Sequence, residues 1–313
     1  MPLMAEHDED IRIGIIGGTG LGDVLLNGMD PQDTKTHEID TPFGAPSAPI
    51  VTGHFAGAPI AILPRHGAGH VINPAAVPGR ANIYALKTLG CTHIVASGAT
   101  GSLREDIAPG DLVICDQLID RTEGRPRTFY DRAAVHVEFA DPFCPVMRAW
   151  LLAAAETVDG TRIHRAGTYL CMEGPSFSTR SEALMHRQWG ADVVGMTALP
   201  EARLAREAEI AYALIALPTD YDCWRPRPRP RPRKGGDQTK GESLLEEIIG
   251  NLTRATEASI ALIRAALADI SMLREHPSPA HDALRLAIWS DKSAIDPAEI
   301  DRLRLLWRRW FET

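Results

Sequence analysis

Residues 11–20, IRIGIIGGTG, hold a short apolar, β-branched run that ends in Gly17-Gly18-Thr19-Gly20. The run reads as a buried first strand, and the glycines as a tight loop at its end. The same signature recurs outward along the chain. APIAILP at 58–64 leads into Arg65-His66-Gly67, HIVASGA at 93–99 into a small-residue turn, and AYALIALP at 211–218 into TDYDCW. Shorter apolar runs stand at 111–116, 167–172 and 191–196, and helical patterns at 80–89, 144–156, 179–189 and 199–208. Strands alternating with helices predict an α/β layered domain with a largely parallel central sheet. In such sheets the loops at strand ends carry the chemistry.

Composition narrows the class. The 313 residues are 44% hydrophobic and 24% charged, an ordinary globular balance. No apolar run approaches the ~18 residues of a membrane span, and the acidic N-terminus has no signal-peptide core, so a cytoplasmic location away from membranes is expected. Five widely spaced cysteines suggest neither a disulfide framework nor a zinc site. A net charge of -8 argues against nucleic acid as a partner. The expected organisation is an acidic tail over 1–10, one domain over 11–270 with an Arg-Pro loop inserted at 225–242, and a helical extension over 271–313. Alternating prolines forbid a helix in RPRPRPRPRK at 225–234, which reads as a solvated loop or as a partner motif. Helical periodicity resumes at about Ser243. In the extension, Asp296 followed by Pro297 reads as a helix N-cap.

Six segments carry candidate chemistry. GGTG exposes backbone N–H groups and a hydroxyl to an anion, or is a plain turn. Arg65 at a strand end offers a planar donor fork suited to phosphate. The His66/His70 spacing has no carboxylate nearby, so no metal is expected. ASGATGSLRED at 96–106 is a turn that lets a ligand approach the backbone. CMEGPSFSTRSEA at 171–183 places Phe177 and Ser178 before a helix, where they suit a flat heterocycle; the alternative is a helix cap with Phe177 in the core. Met196 and Thr197 end one strand. Asp220 and Asp222 end the most apolar one, where buried carboxylates need hydrogen bonds or a proton.

Taken in order, GGTG, RHGxxH, AxGSL, EGPxFSTRxE, GMTxxPE and TDYDCW closely resemble the 5'-methylthioadenosine phosphorylase branch of the trimeric purine-nucleoside phosphorylases. TPFG at 41–44, RPRTFYD at 125–131 and DPFCP at 141–145 are similar too, and the resemblance runs over about residues 11–224. It implies a twisted mixed β-sheet flanked by helices in a three-layer α/β/α fold, and a homotrimer with sites at its interfaces. The implied reaction is phosphorolysis of 5'-methylthioadenosine to adenine and 5-methylthioribose 1-phosphate, with inorganic phosphate as co-substrate and no cofactor.

By resemblance, Thr19, Arg65, His66, Ala99 and Thr197 bind phosphate, Met196 lies against the ribose, and Phe177 and Ser178 contact the purine. His136 reaches a neighbouring subunit's site near the 5'-group, and Leu245, Ile248 and Ile249 are the site-facing residues of a covering helix. The residues themselves agree at one point. Asp220, if burial raises its pKa, can protonate the purine at N7, and with Asp222 it can accept from a 6-amino group. A 6-oxopurine or methylthioinosine phosphorylase on the same fold is the alternative. Where the family carries Ser or Thr as a phosphate ligand this chain has Gly98, so Ser97, Thr100 or a backbone N–H must substitute.

Overall fold

The computed structural model describes residues 11–18, 20–225 and 244–311, with the backbone alone for Asp23 and residues 244–247. Thr19, the acidic tail, the Leu245 side chain and the Arg-Pro loop from residue 226 lie outside the described residues.

Each long apolar run becomes a strand. In chain order these are β1 (Arg12–Gly17), β2 (Lys35–His37), β3 (Ile50–Phe55), β4 (Ala58–Pro64), β5 (Cys91–Ser102) and β6 (Leu112–Ile114). They continue as β7 (Gln117–Arg121), β8 (Ile163–His164), β9 (Thr168–Met172), β10 (Val193–Gly195) and β11 (Ala211–Asp220). The helices that position the site are α1 (Leu21–Asn27), α2 (Gly79–Thr88), α3 (Pro145–Ala155), α4 (Arg180–Gln188), α5 (Glu201–Glu207) and α6 (Leu244–Leu267). Thr179 caps α4 through a reciprocal pair with Glu182, and Asp296 caps the helix that begins at Pro297, as its sequence predicts.

The strands form one sheet in the order β2-β3-β4-β1-β5-β10-β9-β7, with β11, β6 and β8 attached along the other side of β5. The sheet is mixed: β3 lies antiparallel on β4, β10 on β5, and β6 on β11. The antiparallel members are therefore more numerous than an alternation of strands and helices suggests.

Two cores cover the two faces, and β11 divides its residues between them by the two-residue period of a strand. Tyr212, Leu214 and Ala216 pack with α2 and α5, whereas Ala213, Ile215 and Leu217 pack with α1, α3 and α6. This is the three-layer α/β/α arrangement. The C-terminal extension adds to the first core through buried Leu303, Leu306 and Trp307, the last stacked on Tyr130 at 4.8 Å.

Candidate active site

A break in one strand ladder makes the site. On one side of β5 the parallel pairing with β1 ends at Ile16↔Ala96. Pairing on that side resumes antiparallel at Gly101↔Val194. Between these points Ser97–Thr100 face an opening on that side instead of a strand, while their other side pairs with β11, so the backbone groups that neither β11 nor a side chain takes are open to a ligand. The opening is a cavity of about 260 Å³. Arg65, His66, Ala99 and Thr197 line one part of it; Met196, Phe177, Ser178, Asp220 and Asp222 line the rest, and Ile248 lies over it.

Arg65, Thr197 and Gly98 meet at one end. Arg65 is 1% exposed, and Glu201, first residue of α5, takes its Nε (2.9 Å) and Nη2 (3.0 Å). Tyr212 donates its hydroxyl to the same carboxylate at 2.8 Å. The Arg65 fork read from sequence as a phosphate ligand is thus already occupied. Nη1 donates to Ser97 O at 2.8 Å and is the nitrogen beside Gly18 and Gly98. His66 Nδ1 donates to Ile72 O at 2.8 Å, and burial holds the imidazole pKa below its usual value. A Cβ on Gly98 would stand 3.0 Å from Thr197 Oγ1, so position 98 borders both anion-binding candidates.

Asp220 and Asp222 mark the other end. An irregularity between Pro218 and Asp220 sets Asp220 opposite Gly101. Asp220 accepts from the Asp222 amide at 2.7 Å and from Thr219 Oγ1 at 2.9 Å. Burial, opposed by hydrogen bonds and reinforced by neighbouring Asp220, raises the Asp222 carboxyl pKa. Its Oδ2 is buried without a partner among the described residues. Phe177 is 78% exposed and borders the cavity, which excludes the core reading of that ring.

Residues behind the cavity hold the two ends in register. Arg125 donates to the carbonyls of Met196 and Leu199 (both 2.7 Å) and, through Nε, to Glu173 at 2.8 Å. It ties the Phe177 loop to the Thr197 loop. Gly174 (φ 70°) permits this approach, since a Cβ there would come within 2.4 Å of Met196 Sδ. Asn251 Nδ2 donates to Thr219 O at 2.7 Å and fastens α6 over the end of β11. On α6, Ile248, Leu252 and Thr256 face the cavity, whereas Ile249 turns outward and is 55% exposed, against the sequence expectation.

His136 lies elsewhere. Its ring rests edge-on on Trp289 at 4.8 Å, and its amide bonds to Ala287 O, so its loop is joined to residues 283–289 rather than to its own chain's cavity. Glu201 and Arg125 were not singled out by sequence reasoning. Their acidic and basic side chains sit in segments that carry the family resemblance, but nothing local tells which residues they grip. Among the described residues no group of three or more His, Cys, Asp or Glu side chains is arranged to hold a metal.

A family model described as the phosphorylase superfamily matches residues 12–268. An S-methyl-5'-thioadenosine phosphorylase of Geobacter sulfurreducens is 46% identical over 94% of this chain and 97% of its own. One from Chloroflexus aurantiacus is 44% identical over 96% and 98%. Among solved structures, a methylthioadenosine phosphorylase from an antarctic soil metagenomic library superposes with a TM-score of 0.82 at 40% identity, covering 95% of this chain and 99% of that one. A substituted adenosine/methylthioadenosine phosphorylase of Schistosoma mansoni, in complex with methylthioadenosine, gives 0.75 at 34% identity, with 90% and 99% covered.

Proposed function

The chain belongs to the phosphorylase superfamily, and from that premise we infer that it cleaves 5'-methylthioadenosine with inorganic phosphate, releasing adenine and 5-methylthioribose 1-phosphate. The named relatives and the methylthioadenosine-bound neighbour support this reading. The observation that carries it is the carboxyl pair Asp220/Asp222 at the purine end of the cavity. One acceptor-rich pair facing a 6-amino group is matched, whereas facing a 6-oxo group it would set acceptor against acceptor.

The reaction follows from the arrangement. Phosphate sits on the side of β5 where Ser97–Thr100 have no neighbouring strand, with Arg65 Nη1, His66 and Thr197 around it. A phosphate oxygen bonds to the anomeric carbon as the bond from that carbon to purine N9 breaks. The purine leaves neutral because the proton held by the carboxyl pair passes to N7. Burial lets Asp222 hold a proton to higher pH than an ordinary carboxyl, and the Asp222 backbone amide donates to the Asp220 carboxylate. Buried, neutral surroundings strengthen these charges relative to water. Thr19 and Leu245 are placed in the same site by resemblance alone.

The assembly is proposed as a homotrimer whose sites lie between subunits. Leu286 and Trp289 are 81% and 72% exposed beside His136, and an apolar wall of this kind suits the 5'-methylthio group of a neighbour's substrate. No cofactor is proposed, phosphate being a co-substrate, and a cytoplasmic location is proposed; among the described residues no helix is long and apolar enough to cross a membrane.

Turnover of methylthioadenosine, methylthioinosine, adenosine and inosine, each with and without phosphate, tests the reading. Phosphate-dependent release of adenine from methylthioadenosine is expected. A preference for the 6-oxo substrates would overturn the base assignment, and phosphate-independent turnover to free methylthioribose would replace the phosphorylase by a hydrolase.

A further inference from the structure

Gly195, which opens the GMT segment, borders the cavity and has no room for a side chain. A Cβ there would overlap the Tyr169 hydroxyl and stand 2.6 Å from its Cζ. The register accounts for this approach. Between β9 and β10, Tyr169 pairs with Val193 and Cys171 with Gly195. Val193 and Gly195, two residues apart, share a face, and Tyr169 packs in the same core as Val193. The ring leans along that face across Gly195, and its hydroxyl accepts from the Thr197 amide at 3.3 Å.

Tyr169 is completely buried and stands behind the cavity wall. Burial pushes its phenol pKa above the usual value, opposed by hydrogen bonds from the Thr197 amide and side chain. The phenol therefore keeps its proton and serves Thr197 as a neutral partner. One peptide unit is thereby held at both ends: Arg125 donates to the Met196 carbonyl at 2.7 Å, and Tyr169 takes the Thr197 N–H. With its amide committed, Thr197 presents its side-chain hydroxyl at the phosphate end, 3.0 Å from where a Cβ on Gly98 would stand. Arg65 is backed in the same way, by Tyr212 acting through Glu201.

We propose that Tyr169 is a positioning residue for phosphate: its hydroxyl, carried across Gly195, holds Thr197 so that the threonine hydroxyl meets the anion. The proposal rests on the phosphorolytic reading above and adds to it a residue that never touches the substrate.

Tyr169→Phe keeps the ring and removes only the hydroxyl. In steady-state assays the phosphate KM should rise about tenfold, the worth of one neutral hydrogen bond. The KM for methylthioadenosine should stay within twofold, because Arg125 still holds the Met196 carbonyl. Calorimetric titration of the nucleoside-free protein with inorganic phosphate should show the same loss of affinity. Thr197→Ala removes the hydroxyl being positioned. Adding Tyr169→Phe to it should weaken phosphate by no more than a further twofold, since two residues that act through one contact do not add. Losses that multiply in the double variant would overturn the proposal, as would an unchanged phosphate KM. Equal rises in both KM values would make the hydroxyl merely structural and also overturn it. The titration keeps the two readings apart: if the unsubstituted protein fails to turn over methylthioadenosine, the function is wrong, while the role of Tyr169 stands or falls on phosphate binding.

Discussion

Glu201 grips Arg65 edge-on, taking Nε at 2.9 Å and Nη2 at 3.0 Å across 136 residues of sequence, and both side chains are almost completely buried. The guanidinium therefore enters the cavity neutralised and fixed in direction, and on the proposed reading a phosphate would meet one edge of it rather than the whole fork. Arg65→Lys keeps the charge but cannot reach Glu201 twice and Ser97 O at once. The expected result is a phosphate KM raised at least tenfold with a nucleoside KM changed much less, read from initial rates. Glu201→Ala strands a buried cation, and denaturant unfolding should show a loss of about 3–5 kcal/mol.

On the proposed reading, Asp220→Asn removes one of the two carboxyls that would hold the purine's proton. Activity on methylthioadenosine should fall at least ~10²-fold, the scale of general acid catalysis. Methylthioinosine should be spared or improved, because an amide donates where the carboxylate only accepts. A parallel loss on both substrates would separate Asp220 from base selection.

Glu207 gives the stability a pH dependence. It is buried on α5, and desolvation pushes its carboxyl up to about 7, against a hydrogen bond from the Phe129 amide at 2.8 Å. A carboxyl raised on folding favours the native state while it is protonated in both states, below the ordinary 4.5. That contribution is lost as pH rises through about 7. Glu207→Gln should therefore flatten the fall in melting temperature between pH 5 and pH 8, measured by calorimetry. An unchanged slope would place the titration elsewhere.

Asp222 follows the same sign. Its raised carboxyl stabilises the fold below the ordinary 3.8, and this is lost as pH rises through its folded pKa. Asp222→Asn should remove that slope and should also remove the fall in rate as pH rises through the same pKa, if the pair's proton is the one transferred. Retention of the full fall in rate with rising pH would assign the proton to another group.

His136 and Trp289 make a surface unit outside their own chain's cavity. Dilution to dissociation should abolish turnover, followed by activity and mass in parallel; active monomers would refute shared sites. His136→Ala should alter selectivity between methylthioadenosine and adenosine and leave the phosphate KM nearly unchanged.

Much of this protein is local in its cause. Apolar runs of strand length fix β1, β4 and β11 within a residue or two, and the middle of β5, because two-sided burial of a strand needs unbroken apolar sequence. The Gly-rich loops and the carboxyls after β11 stand at strand ends for the same reason, so the segments that line the cavity are legible in the sequence, while the roles of most single residues come from the family resemblance. Other features arise only on folding. The edge of β5 opens between Ala96 and Gly101 because β1 stops and β10 arrives in the opposite direction. Short β10 has no local pattern that sets its direction, so this gap is invisible in the chain. The same holds for Glu201 on Arg65, for Ile249 turned to solvent while Ile248 faces inward, and for the Thr100 hydroxyl left without a partner. Each depends on the register of elements distant in sequence, and a shift of one residue in a strand reverses which face a side chain occupies. Residue types determined what chemistry was available; tertiary register decided which atoms of those residues remain for the substrate.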